Sequence, residues 1–317
     1  MKKDSSEKLP LVSVVTPAFN QGVFLRDTIE SVLAQDYPNI ELYVIDDGST
    51  DETPNILAEY DGRIKWESHQ NIGQTPTINK GWSLTSGEIV TWLNSDDTFL
   101  PGAVKTGVEY LINHPETGIV FGDTLFTEAD GTPLDKTFRN MVFNYEKFVT
   151  SCENPIPQPS AFIRRAVVEK VGNLDAKFYY FMDWDFWLRA GLHFKIDYIA
   201  EVLSTYRLHA ESKSVSQAKK AAPELEYMYR KYFSADDLPA EIKNLKKTAM
   251  MNMYFTTGGY YLQGNDKKKA SEMAVKAVKQ NPAGAVMPQS LHKFMYCMFS
   301  ASTFYQKARA AYGKLKR

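Results

Sequence analysis

Short apolar runs and helical stripes alternate through the first 115 residues, and that alternation leaves few folds open. Leu11–Thr16 (LVSVVT), Ile40–Ile45, Ile64–Glu67 and Glu88–Leu93 read as strands. Between the first two, Phe24, Leu25, Thr28, Ile29, Val32 and Leu33 recur at helical spacing over about Val23–Gln35. Ser49-x-x-Glu52 has the form of a capping box for a second helix reaching about Tyr60. Asn71-Ile72-Gly73-Gln74 opens a third that runs towards Gly87, a suitable C′ residue, and a fourth lies between Pro101 and His114-Pro115. The β-α-β-α-β-α-β-α order predicts a mostly parallel, helix-covered sheet. No GxGxxG follows the first strand and no GxxxxGK[ST] occurs, which removes the main support for a dinucleotide-binding domain or a P-loop NTPase.

In such a sheet, ligands bind outside the carboxyl ends of the strands. Three of those ends carry hydroxyls or carboxylates: Thr16, Asp46/Asp47 and Asp96/Asp97. The stretch Glu88–Asp97 (EIVTWLNSDD) runs from a buried strand straight into two adjacent carboxylates, which repel each other unless a cation or a donor-rich ligand lies between them. Taken alone, it could equally be an Asx-type turn leading to Pro101. Capping accounts for Ser49 and Asp51, but not for Asp46 and Asp47, which precede the cap.

The pattern changes after Gly118. Ile119–Phe126 reads as a strand with a turn at Asp130-Gly131, Asn154–Pro159 as irregular chain, and Ser160–Ile163 as a further strand before a short helix from Arg165 to Val171. Phe181–Ala190 is predicted helical, with Asp185 and Arg189 as an i,i+4 pair. Phe194–Ala200 and Val202–Leu208 read as two extended segments. From about Ala218 onward the periodicity is helical: Leu225–Phe233, Lys243–Gln263, Lys267–Asn281 and Leu291–Tyr312. This divides the chain into residues 1–215 and a helical extension over 216–317.

These residues resemble the family-2 glycosyltransferases of the GT-A fold. The resemblance rests on SVVTPAFN at Ser13–Asn20, DDGSTD at Asp46–Asp51, NIGQTPTINKG at Asn71–Gly81 and NSDD at Asn94–Asp97. QPSAFIRR at Gln158–Arg165, MDWDFWLR at Met182–Arg189 and YRLHAES at Tyr206–Ser212 complete it. It covers roughly residues 9–215. It implies a GT-A nucleotide-diphospho-sugar transferase fold with an α-helical C-terminal extension, and an inverting, metal-dependent transferase. The implied donor is a nucleotide-diphosphate sugar, usually a UDP-sugar, its diphosphate bridged by Mn²⁺ or Mg²⁺. By the same resemblance Thr16, Asp46, Asp47, Gln74 and Asp96 bind the donor, Asp47 accepting from the base. Asp96, Asp97 and His209 hold the metal, and Asp183 is the general base for an acceptor hydroxyl. Asn94 stands where many relatives have the first Asp of D-x-D, and Met182 stands where many have Glu. Asp183 can also be read as a helix cap, and Trp82, Trp184 and Trp187 as core rather than sugar platforms. The rival readings are a non-catalytic nucleotide-sugar-binding protein and a sugar nucleotidyltransferase; against the latter, Thr16–Gly22 carries no basic residue.

With 37 basic against 38 acidic side chains, the overall charge gives no sign of nucleic-acid binding. Two cysteines without metal-ligand spacing fit a reducing compartment. With no apolar run of spanning length and no leader-like h-region, the expectation is a cytoplasmic protein. Lys307–Arg317 carries five basic residues and no acidic one, after an apolar stripe of Leu291, Phe294, Met295, Met298 and Tyr305. A lipid-linked saccharide acceptor would reward peripheral contact between this segment and an anionic membrane. The competing reading packs the stripe on the helical extension and leaves the tail solvated.

Overall fold

The computed structural model describes residues 9–138, 143–209 and 218–299, which fall into two compact units. The first spans residues 1–143 and 154–209; the second takes residues 144–153 and everything from 210 onward. The boundary expected at 215/216 and the basic tail lie outside the described residues.

The first unit is built on an eight-stranded mixed sheet of order β3-β2-β1-β4-β7-β5-β6, with β8 also paired to β5. Its parallel part is β1 (Val12–Ala18), β2 (Ile40–Asp46), β3 (Lys65–Ser68) and β4 (Ile89–Trp92). Connecting them are α1 (Gly22–Leu33), α2 (Thr53–Glu59) and α3 (Gln74–Leu84), and α4 (Ala103–Asn113) follows β4. All of β1 is buried, as a strand covered on both faces must be. Val12, Val14 and Ala18 join Leu25 and Ile29 of α1, Leu57 of α2 and Val104 and Val108 of α4 in one core. On the other face, Trp92 meets Trp82 edge-on at 5.6 Å and stacks on Trp187 at 5.7 Å. With Trp184 5% exposed, the indoles are core residues.

The rest of this sheet comprises β5 (Thr117–Thr127), β6 (Pro133–Phe138), β7 (Ala161–Arg164) and β8 (Lys195–Arg207). Strand β7 runs antiparallel to both β4 and β5, and β8 runs parallel to β5. Strands β5 and β8 therefore point the same way as β4. The carboxyl ends of β1, β2, β4 and β8 and the residues preceding β7 consequently meet at one edge. The two extended segments predicted over 194–208 are one strand. Phe121 pairs with Tyr198 and Asp123 with Val202, so β8 advances four residues while β5 advances two, and a bulge absorbs the difference.

Two local predictions are corrected. Helix α2 has Glu52 as its N-cap with no side-chain capping bond, so no capping box forms. Ser49 is drawn away: its N–H donates to Asp46 Oδ1 and its Oγ accepts from Asn20 N–H. Gly87 is not the C′ residue of α3, which closes at Thr85 in extended conformation. Gly87 is instead where the chain presses on β1: a Cβ there would lie 2.6 Å from Ser13 N and 2.7 Å from Leu11 O.

The second unit is helical. Among the described residues it contains α5 (Tyr145–Ser151), α8 (Ala218–Tyr232), α9 (Ala240–Gln263), α10 (Lys267–Gln280), α11 (Pro282–Ala285) and α12 (Pro288–Phe299). The remaining helices of the first unit are α6 (Arg165–Val171) and α7 (Met182–Ala190). Ala270, Ala274 and Ala277 are fully buried, so α10 lies close against α9, the hairpin read from the sequence. Cys152 and Cys297 are buried and reduced, and burial pushes their thiols up to about 12 and about 11.

Candidate active site

At the end of β2 the two aspartates have different tasks. Asp46 accepts from Ser49 N–H (2.9 Å) and Ser68 Oγ (2.8 Å), which closes the turn and ties β2 to β3. Asp47 accepts from Ile72 N–H (2.7 Å) and Gly73 N–H (2.9 Å), which holds the loop entering α3. A carboxylate has about four lone-pair sites, so Asp47 retains capacity for a ligand donor. Asp51 accepts from Gly22 N–H and Thr53 N–H, joining the starts of α1 and α2. Burial opposes its charge, but hydrogen bonds from Thr53 and Gly22 prevail and hold its carboxyl below the usual range. Thr16 is completely buried, and its Oγ1 has no hydrogen-bond partner among the described residues.

The paired carboxylates at the end of β4 point different ways. Asp96 is partly exposed, with Oδ2 2.9 Å from His209 Nε2 just past β8. Asp97 is 2% exposed; its Oδ1 accepts from Arg207 N–H (3.1 Å) and its Oδ2 from Asn94 Nδ2 (3.2 Å). Burial, reinforced by the charge of Asp96, pushes the Asp97 carboxyl well above the usual carboxylate range. The structure thus brings Asp96 and His209 together and turns Asp97 into the protein. Among the described residues, no three His, Cys, Asp or Glu side chains are grouped as a metal cage.

A chain of amides spans the same edge. Gln74, at the start of α3, donates to Asn94 Oδ1 (2.8 Å), and Asn94 Nδ2 also reaches Gln158 Oε1 (3.2 Å). Gln158 Nε2 in turn donates to the Trp92 carbonyl (2.6 Å). Asn94 donates to both Asp97 and Gln158; an ionised aspartate there could donate to neither and would add a third negative charge.

Asp183 lies in the first turn of α7, whose N-cap is Phe181, so it is not the cap residue. Its Oδ1 accepts from Trp184 N–H (2.7 Å) and its Oδ2 from Asn154 Nδ2 (3.0 Å). Thr75 Oγ1 meets Met182 Sδ (2.8 Å) and the Phe178 carbonyl (3.0 Å), bringing the start of α7 beside the start of α3 and to the shared edge. Asp185 pairs with Arg189 (2.8 Å), as its spacing predicts.

The profile of Glycosyl transferase family 2 matches residues 13–172, half of the chain. The chain belongs to glycosyl transferase family 2. It is 25% identical to an uncharacterized glycosyltransferase of Rickettsia prowazekii, over 91% of this chain and 91% of that protein. It is 39% identical to the GalNAc(5)-diNAcBac-PP-undecaprenol beta-1,3-glucosyltransferase of Campylobacter jejuni, over 41% of this chain and 42% of that protein. Two solved structures share its fold at 14% identity. S. aureus TarS 1-349 in complex with UDP-GlcNAc has a TM-score of 0.59, covering 86% of this chain and 92% of that one. The Pyrobaculum calidifontis mannosyltransferase PcManGT, in complex with GDP-Man and Mn2+, has a TM-score of 0.61 over 95% and 88%. The chain is therefore a glycosyltransferase of GT-A type with a helical C-terminal region.

Within this family-2 glycosyltransferase, Arg207 and Asn154 also contact the candidate site residues, and no local sequence pattern marks either. Arg207 lies inside the YRLHAES stretch but has no ligand-type chemistry to mark it, and Asn154 sits in Pro-rich irregular chain 29 residues from its partner Asp183. Phe24, part of the apolar stripe of α1, has its ring centroid 4.8 Å from that of His209.

Proposed function

We propose that this enzyme is an inverting, cation-assisted transferase that moves a sugar from a nucleotide-diphosphate sugar, UDP-linked in preference, to a hydroxyl of a saccharide or lipid-linked acceptor in cell-surface polysaccharide synthesis. The observation that carries the reading is the Asp96–His209 pair at the same sheet edge as Asp183. The relatives support it: one is named for action on an undecaprenol-linked saccharide, and the solved structures hold UDP-GlcNAc or GDP-Man with Mn2+.

The donor set suits a hard divalent cation. Adjacent ligands of an octahedral ion at about 2.1 Å lie roughly 3 Å apart, close to the 2.9 Å between Asp96 Oδ2 and His209 Nε2. Such ions take few protein ligands and complete their shell with phosphate oxygens and water, which agrees with two side chains rather than a cage. A cation held by Asp96 and His209 would offset the charge that builds on the departing diphosphate. The proposed roles of the other residues follow from their placement. Asp47 accepts from the base while its backbone bonds hold the 71–73 loop, Asp46 shapes the turn beside it, and the unpartnered Thr16 hydroxyl serves the floor of the base pocket. Gln74 keeps Asn94 in place, and Asp97 supports the loop from within rather than through a free carboxylate. Asp183, its two oxygens oriented by Asn154 and by the start of α7, takes the proton of the acceptor hydroxyl opposite the leaving group. Val286, Met287 and Leu291 of the second unit are exposed, which supports peripheral membrane contact by this region together with the basic tail.

A donor screen tests this. Nucleoside diphosphate release from UDP- and GDP-sugars is measured with Mn²⁺, Mg²⁺ or chelator. Release should require the cation, and Asp96→Asn should raise the cation concentration needed. Asp97→Asn should act first on thermal stability. Full activity in chelator would remove the cation from the reaction.

A further inference from the structure

Arg207 is 5% exposed, and its attachments converge on the residues that would meet the cation. Its Nε donates to the Asp96 carbonyl (3.0 Å) and its main-chain N–H to Asp97 Oδ1 (3.1 Å). Nη1 donates to the Ala129 carbonyl (2.8 Å) and Nη2 to Asp27 Oδ2 (2.8 Å). The guanidinium lies over the Phe24 ring at 4.8 Å, and that ring packs on His209 with centroids 4.8 Å apart. Arg207 thus touches the main chain of Asp96 directly and the imidazole of His209 through Phe24.

We propose that Arg207 is a positioning residue for the cation site, its fork and its stacked Phe24 fixing Asp96 and His209 at the separation one ion requires. The inference rests on the cation reading of that pair. Neither Asp96 nor His209 lies inside a regular element: one follows β4 and the other follows β8, 113 residues apart in sequence. Loop-borne ligands need an outer set of contacts to hold them, and here Arg207 supplies them through its fork, its main-chain N–H and the Phe24 ring stacked against it. Asp27 points to the same role. Its side chain is 59% exposed, and an ion pair with so exposed a carboxylate adds little to stability, so what it supplies is the aim of the guanidinium. A lysine could not make these bonds together, because it has no planar fork to reach three acceptors while lying on an aromatic face.

Three variants of the full chain test the assignment: Arg207→Lys, Asp27→Asn and Phe24→Leu. Mn²⁺ binding is titrated by the loss of the free-ion EPR signal, with and without UDP, alongside thermal unfolding and the apparent KM for Mn²⁺. Arg207→Lys should weaken Mn²⁺ binding about tenfold, the low end of what loss of an orienting partner costs. Asp27→Asn and Phe24→Leu should shift it the same way by less, with the unfolding temperature of Asp27→Asn unchanged. In both, kcat should return at saturating Mn²⁺, so that the loss appears in KM. Parent-like Mn²⁺ affinity in Asp27→Asn and Phe24→Leu would overturn the proposal, even if Arg207→Lys fails to fold. A parent enzyme that binds no Mn²⁺ would overturn the cation reading beneath it, a result distinct from tight binding by parent and variants alike.

Discussion

Asp183 and Asp97 are both carboxylates at the sheet edge, yet their surroundings differ. Asp183 is only partly buried, and its two oxygens accept from Trp184 N–H and Asn154 Nδ2. Asp97 is enclosed, and Arg207 N–H and Asn94 hold its oxygens inward. In the proposed mechanism the first takes the acceptor proton and the second supports the loop. Asp183→Asn keeps the shape and an acceptor for Trp184 N–H but loses the one for Asn154 Nδ2, so stability should fall slightly while donor binding is unchanged. Loss of a general base typically costs about 10²–10⁴-fold in rate. Steady-state transfer assays beside a donor-binding titration check this, and near-normal transfer would assign the proton to another group.

Between elements, Gly87 presses on the backbone of β1. The segment from α3 to β4 passes so close that its N–H donates to Ser13 Oγ (2.8 Å), and the chain leaves no room for a side chain. Because the obstructing atoms include backbone of the central strand, they cannot swing aside. Overpacking of a well-filled site costs about 1–3 kcal/mol, and Gly87→Ala should fall in that range by chemical denaturation, with donor affinity retained if the strand holds its register. The same close fit recurs at Gly81, where a Cβ would meet Val15 Cγ1 at 2.3 Å, so α3 is seated on β1 along its second half.

For the whole molecule, the open matter is the surface that the enzyme presents to its acceptor. No described helix is long and apolar enough to cross a membrane. The second unit has Val286, Met287 and Leu291 exposed, followed in sequence by a basic tail. Near an anionic surface each Lys or Arg contributes about 1 kcal/mol, falling with ionic strength. The full chain should co-sediment with anionic vesicles and not with neutral ones, and deletion of the residues after Tyr305 should release it. Equal recovery in the supernatant with every vesicle would return the tail to solvent.

The alternation of elements up to α4, the hairpin at Asp130-Gly131, the Asp185–Arg189 pair and the alanine-lined helices of the second unit were legible in the sequence, because each depends on periodicity or turn chemistry within a few residues. The family motifs likewise marked Asp47, Asp96, Asp183 and His209 as residues to watch. Local pattern could not show that β7 enters the sheet antiparallel between β4 and β5, which is what brings Gln158 to the edge shared with the strand ends. Nor could it show that Ser49 would be taken by Asn20 rather than by a helix cap, or that Gly87 answers to β1 rather than to α3. The joining of Arg207 to Asp27 across 180 residues and the inward turn of Asp97 belong with these. All are decided by pairings distant in sequence, where burial forces each polar group to find whichever partner the fold has brought within reach.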